Sequence, residues 1–279
     1  MNVKEGMAAG VPYVVLPPDN PAEDTPLVAA WHLMDSPRSE AALAAALPLS
    51  GVDAWRVYFG LPLFGARLPS GGFDALRELA AEDYVLRLLE PVVGQAAAEF
   101  PLALAAVRAQ LGLGEGPLGL VGGSAGGAVV LRVLAEQDLP VTAAAVINPV
   151  VRVEPVVDSA EKVFGFTYEW TEPAEAAAAR LDVIARAEEI ARRHPGLALL
   201  LLGGELDDPE FREPLAELHS VLPGSLGRRA RHTVIPDMGH SFAEEPGVEP
   251  APQNEDALRV DEAVTEWFQR HLAGEREAA

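Results

Sequence analysis

Leu118-Gly119-Leu120-Val121-Gly122-Gly123-Ser124-Ala125-Gly126-Gly127-Ala128-Val129-Val130 is the stretch on which the reading of this sequence turns. A short apolar run ends on glycines, a serine follows, and small and apolar residues then continue as a helical pattern. The stretch therefore predicts a strand, a very tight turn and a helix. The same succession recurs along the chain. Further strands are expected at Tyr13 to Leu16, Leu27 to His32, Trp55 to Phe59, Ala143 to Ile147, Leu197 to Leu202 and His232 to Ile235. Longer helical patterns lie between or after them, at Asp83 to Leu111, Ala125 to Gln137, Pro173 to Arg193, Pro209 to Val221 and Glu255 to Leu272. Strands alternating with helices imply βαβ units and a mostly parallel sheet. Several strands are apolar almost throughout, as expected when helices cover both faces and make three layers.

Within the helical patterns, Pro91 and Pro101 are expected to break or kink the first long one. The last is expected to bury Leu258, Ala263, Val264, Trp267, Phe268 and Leu272 on one face. No repeat or low-complexity linker divides the 279 residues, so one domain spanning 1–279 is expected. Two stretches look inserted: Pro62 to Phe73, read as a surface loop, and Val151 to Thr171. The second leaves the carboxyl end of a strand, where ligands bind in open α/β folds, and carries Phe164, Phe166, Tyr168 and Trp170. Core packing is the ordinary role for such aromatics; a small cap over a site is the other reading.

Bulk properties narrow the function. Hydrophobic residues make up 49% of the chain, enough for a sizeable core, and the uninterrupted apolar runs are far shorter than the roughly 20 residues of a bilayer span. Forty-two acidic residues against 21 basic ones give a net charge of −21, a surface repelled by nucleic acid and by anionic lipid. The absence of cysteine removes disulfides, thiol catalysis and cysteine metal sites. The N-terminal residues do not read as a secretory signal, so the cytoplasm is the expected compartment.

Gly122 to Gly126 spells G-x-S-x-G. A serine hydroxyl is a weak nucleophile unless it is held exposed beside a base, and a strained turn between strand and helix does this. The helix that follows aims its free N–H groups at the serine. A phosphate cradle is disfavoured, because G-x-G-x-x-G is not satisfied and no Walker lysine is present. The base is expected to be His240, in Ile235-Pro236-Asp237-Met238-Gly239-His240-Ser241-Phe242, just past the last strand and on the same sheet edge as Ser124. The run Leu199 to Leu202 ends in Gly203-Gly204-Glu205-Leu206-Asp207-Asp208, which offers three acids to orient that histidine.

These residues, in the order serine, acid, histidine, resemble the α/β-hydrolase superfamily over nearly the whole chain. The likeness is greatest to esterase or dienelactone hydrolase and to prolyl-oligopeptidase-like catalytic domains. The resemblance implies a three-layer α/β-hydrolase fold with a mostly parallel central sheet, here with a small cap insertion. It favours Asp207 as the acid, since Gly-Glu-x-Asp is a frequent spelling of that loop, with Glu205 and Asp208 as substitutes. It also implies an oxyanion hole from the N–H groups of Ala125 and, after an early strand, Met34. In Trp31-His32-Leu33-Met34-Asp35-Ser36, Leu33 stands where the family usually has glycine, which argues against the His-Gly-Gly-Gly branch. His32 is then structural. Dienelactone hydrolase uses cysteine where this chain has Ser124, which favours ordinary ester chemistry.

The resulting expectation is a serine hydrolase cleaving small-molecule carboxylic esters, with Ser124, Asp207 and His240 as the triad and no metal or cofactor. Leu33, Phe164, Phe166 and Trp170, with Met34, are expected to line a pocket for small to medium hydrophobic acyl groups. Thioesterase, amidase or peptidase, and perhydrolase chemistry use the same triad. A non-catalytic binding protein of the same fold would be expected to have a broken one.

Overall fold

The computed structural model describes residues 4–165 and 167–272. The chain begins with β1 (Lys4–Ala8), β2 (Val11–Leu16), β3 (Leu27–Trp31), α1 (Glu40–Ala46) and β4 (Trp55–Phe59). A single 3₁₀ turn (Gly65–Arg67), α2 (Gly72–Asp83), a π-helical turn (Tyr84–Leu89) and α3 (Glu90–Leu111) follow. Next come β5 (Leu118–Gly123), α4 (Ala125–Glu136), β6 (Val141–Ile147), α5 (Val153–Phe164), α6 (Glu172–Leu181) and α7 (Ala187–Arg193). β7 (Ala198–Gly204), α8 (Pro209–Val221), α9 (Gly224–Arg229), β8 (Ala230–Ile235) and α10 (Glu255–His271) complete the order. The eight strands form one sheet in the order β1-β2-β4-β3-β5-β6-β7-β8, antiparallel at β1 and β2 and parallel from β4 onward. This is the three-layer α/β-hydrolase arrangement.

Alternation along the strands explains the two cores. Leu27, Ala29 and Trp31 of β3 pack towards α3 and α4, and Leu199 and Leu201 of β7 join the same core beneath α8 and α9. Val28, Ala30, Leu200 and Leu202 face the opposite side, with α1 and α10. Both faces are covered, so these strands read as unbroken apolar runs. β1 escaped the sequence pattern because Lys4-Glu5-Gly6-Met7 is largely exposed at the sheet edge. It is held by its hairpin with β2, whose two turn residues, Ala9 and Gly10, both have positive φ.

Three helical expectations need correction. α3 runs unbroken from Glu90 to Leu111 with Pro101 inside it. The carbonyl of Ala97, which Pro101 cannot bond, accepts instead from Gln137 Nε2 at 3.4 Å. Pro91 follows directly on the π-helical turn, so the irregularity expected there is present although the chain stays helical. The pattern at Pro173 to Arg193 divides into α6 and α7, because the Asp182 carboxylate accepts from the Ala185 N–H at 3.1 Å and closes a turn. In α10 the buried stripe is Ala257, Val260, Val264, Trp267 and Phe268. Leu258 lies off that stripe and is 54% exposed.

Gly72–Leu111, taken as one helical stretch, has the length and hydropathy of a bilayer span although charged residues interrupt its apolar runs. Half of its most apolar window is buried, with Val92, Val93, Ala96, Phe100 and Leu104 in the core. The stretch expected as the second insertion holds α5, which packs on α6, α8 and the π-helical turn.

The turn between β5 and α4 is packed backbone against backbone. A Cβ on Gly122 would strike the Gly126 carbonyl, and one on Gly126 would strike the carbonyls of Trp31 and His32. Gly126→Ala is expected to lower unfolding free energy by about 1–3 kcal/mol, as overpacked sites do. Urea denaturation of the variant beside the unsubstituted protein checks this.

Candidate active site

β5 delivers Ser124 into a backbone conformation of φ 49° and ψ −118°. An L residue adopts such a conformation only when its surroundings enforce it, at a cost of about 1–3 kcal/mol. Here the backbone is fixed on both sides: Ser124 N–H donates to Ile147 O at 2.9 Å, and Ser124 O accepts from Ala128 N–H at 3.0 Å and Val150 N–H at 3.2 Å. Ala125 opens α4, so its N–H has no acceptor within the helix.

The structure brings Ser124, His240 and Asp207 together at the carboxyl end of the parallel strands. Ser124 Oγ lies 2.9 Å from His240 Nε2. Nδ1 of the same ring lies 3.0 and 3.1 Å from the two carboxylate oxygens of Asp207. With the proton on Nδ1, the imidazole donates to Asp207 and accepts from the serine hydroxyl. The Asp207 side chain is 1% exposed, and its Oδ1 also accepts from the Asp208 N–H at 2.7 Å. Of the other two acids, Glu205 accepts from the Asp237 N–H at 3.1 Å, and Asp208 occupies the position before α8 without a side-chain capping bond.

Asn148, which the sequence reading passed over, ties these loops together. From the end of β6 its Nδ2 donates to the carbonyls of Gly239 and His240, each at 2.9 Å, and its Oδ1 accepts from Gly204 N–H at 2.7 Å. The side chain is buried, so all three bonds form away from water. Gly204 is small for a related reason: a Cβ there would run into the Met238 and Gly239 carbonyls. Phe211 of α8 was also missed. Its ring lies 4.1 Å, centroid to centroid, from that of His240. Neither residue stands in a recognisable motif, so only the fold could find them.

The expected pocket needs correction. Leu33 is fully buried, its side chain filling the space beside Gly123 next to Phe242, and so supports the turn instead of lining a pocket. That packing also accounts for a leucine where glycine was expected. Met34 is partly buried against the α3-side core, as is Trp170, which packs edge-on to Tyr168 at 5.0 Å. The Phe164 side chain and Phe166 lie outside the described parts of the structure. His32 is buried, with Nδ1–H donating to Leu33 O at 2.7 Å and Nε2 accepting from Leu61 N–H at 3.1 Å. Burial outweighs the bond to Leu33 and lowers its pKa to about 4, so it stays neutral and fixes the loop.

Around His240 the balance is reversed. Burial would lower its pKa, but the hydrogen bond and charge of Asp207, with the charges of Asp35 and Asp208, outweigh that and raise it above the ordinary value. Asp35 Oδ2 lies 3.9 Å from Nε2. A base must be neutral to accept a proton, so activity is expected to rise with pH through a midpoint above the ordinary histidine value of about 6.5. Asp35→Asn should move that midpoint down, which a kcat/KM–pH profile of the two proteins would reveal.

The prolyl oligopeptidase family model (Peptidase_S9) matches residues 96–275, well over half of the chain. A search of curated proteins finds no match. Among solved structures, the chain resembles TT1662 from Thermus thermophilus, with a TM-score of 0.60 and 20% identity over 96% of this chain and 99% of that one. It also resembles Est1E from Butyrivibrio proteoclasticus (0.60, 14% identity, 97% and 98%). The similarity to the Pyrococcus horikoshii acylaminoacyl peptidase (0.64, 14% identity) covers 100% of this chain but only 43% of that one. The mycobacterial puromycin-hydrolyzing peptidase is likewise spanned over only 39% of its length. The likenesses show a shared fold; with the family match, they make this chain a member of the prolyl oligopeptidase family, a serine hydrolase of the α/β-hydrolase class.

Proposed function

We propose that the protein hydrolyses carboxylic esters of small to medium hydrophobic acids through a Ser124–His240–Asp207 triad. The observation that carries this reading is the pair of hydrogen bonds on one imidazole, serine on Nε2 and carboxylate on Nδ1. His240 takes the Ser124 proton as Oγ attacks the carbonyl, and returns it to the departing alkoxide. Asp207 stabilises the imidazolium. The Ala125 and Met34 N–H groups hold the oxyanion, and water activated by His240 then releases the acid.

Support for esters comes from an apolar setting, with Phe211 against the imidazole and Met34 in the oxyanion loop. The segment 151–171 acts as a cap in this account, resting through α5 on α8, the helix that carries Phe211. The Est1E neighbour, a structure of which has ferulic acid bound, is consistent with a carboxylic ester substrate. Amide or peptide cleavage is the second reading, favoured by the family match itself.

A panel of p-nitrophenyl esters of rising chain length, run beside a p-nitroanilide and a thioester, separates these readings. The proposal expects the short and medium esters to have the highest kcat/KM; a faster anilide would favour the peptidase. Asp207→Asn should reduce kcat by about 10³-fold or more, whereas Asp208→Asn should change it little. The opposite pattern would move the acid role to Asp208.

A further inference from the structure

Asp35 has no part in the acyl-transfer steps above, yet its carboxylate lies 3.9 Å from His240 Nε2 with 54% of its side chain exposed. Among the described residues, the imidazole is the one basic group within 4.0 Å of it. Arg38, three residues on, is bound instead to Glu245 at 2.6 Å. The neighbouring phenol of Tyr84 is held neutral, its pKa raised to about 12 by burial and by the Asp35 charge. The nearby groups that carry charge or titrate, Asp207, Asp208, His240 and Tyr84, thus supply no lasting positive charge.

A free carboxylate here favours the imidazolium but opposes the negative charge that develops on the substrate oxygen within a few ångströms of Ser124. A substrate cation placed against Asp35 would remove that penalty. Position says which part of the substrate would carry it. As the Ser124 Oγ–carbonyl bond forms and the carbonyl–oxygen bond to the alcohol breaks, Nε2 hands its proton to the departing oxygen. A carboxylate beside Nε2 therefore stands beside the leaving group, and the Phe211 ring lies tilted against the same imidazole.

We propose that Asp35 is a specificity residue that makes this site prefer esters whose alcohol carries an ammonium group a few bonds from the scissile oxygen. The inference rests on the acyl-transfer reading of the site. It concerns the leaving group, where that reading concerns the acyl group.

The test compares the butanoate esters of choline and of 3,3-dimethylbutanol, which match in shape and differ in charge. The unsubstituted protein is expected to favour the choline ester in kcat/KM by about five- to tenfold. Asp35→Asn should bring the two esters to near parity, and Asp35→Glu should keep the preference. Equal turnover of the two esters by the unsubstituted protein would overturn the proposal. So would an Asp35→Asn variant that slows both by the same factor, which would show the carboxylate acting only through His240. Should neither ester be turned over, the esterase reading fails, and Asp35 is tested by protection. Choline should then slow phosphonate labelling of Ser124 at a lower concentration than 3,3-dimethylbutanol does, and equal protection would overturn the inference.

Discussion

The backbone at Ser124 combines a strained conformation with close backbone-to-backbone packing, and the geometry of the site depends on it. Its φ of 49° and ψ of −118° persist because Gly122 and Gly126 let the turn, its own helix and the end of β3 come within contact of one another. A side chain at Gly126 would push the turn away from β3, and one at Gly122 would push it away from the first turn of α4. The same approach seats Leu33 beside Gly123, so the loop after β3 and the serine turn share one packing unit. Strain at the serine is thus maintained by contacts that also set where substrate oxygen would sit.

The other half of the site is assembled by a second set of close approaches. Asn148 bonds the backbone on both sides of the gap between β7 and the His240 loop, and Gly204 lets that loop lie directly on the strand end. Leu206 N–H donating to Met238 O at 2.8 Å and Glu205 N–H donating to Ile235 O at 3.0 Å extend the connection. Asp207 and His240 therefore face one another through a braced backbone, and little reorganisation is left for the chemical step. Electrostatically the site is acidic: Asp207 is buried and committed to Nδ1, whereas Asp35 is exposed on the Nε2 side. In the proposed reaction one carboxylate would orient the base and the other would face the leaving group.

Much of this was legible in the sequence, for physical reasons. Strands covered on both faces are mostly apolar, so β3 to β7 announced themselves by composition, Arg56 in β4 being an exception whose guanidinium donates to the Leu49 carbonyl at 3.1 Å. The G-x-S-x-G turn is legible because only glycine fits the contacts at Gly122 and Gly126. What escaped detection depends on tertiary partners. Gln137 satisfies the carbonyl that Pro101 leaves free, so a residue that predicts a break sits inside a continuous helix. β1 shows no apolar pattern because it lies at the sheet edge, held mainly by backbone pairing with β2 and by Gln110 Nε2 donating to Met7 O at 2.9 Å. Asn148 and Phe211 carry no local signal, since an asparagine after a strand and a phenylalanine in a helix acquire meaning only from what lies opposite. Leu33 misled for a like reason: its apolar character suggested a pocket, while its place in the fold is beneath the turn.

The central claim is that Ser124 itself carries the acyl group, and rapid mixing with a p-nitrophenyl ester tests it most directly. The account predicts a burst of p-nitrophenol approaching one equivalent per chain whenever deacylation limits turnover, with the matching acyl mass on the peptide containing Ser124 in acid-quenched samples. Acyl mass on another residue, or turnover retained in Ser124→Ala, would contradict it.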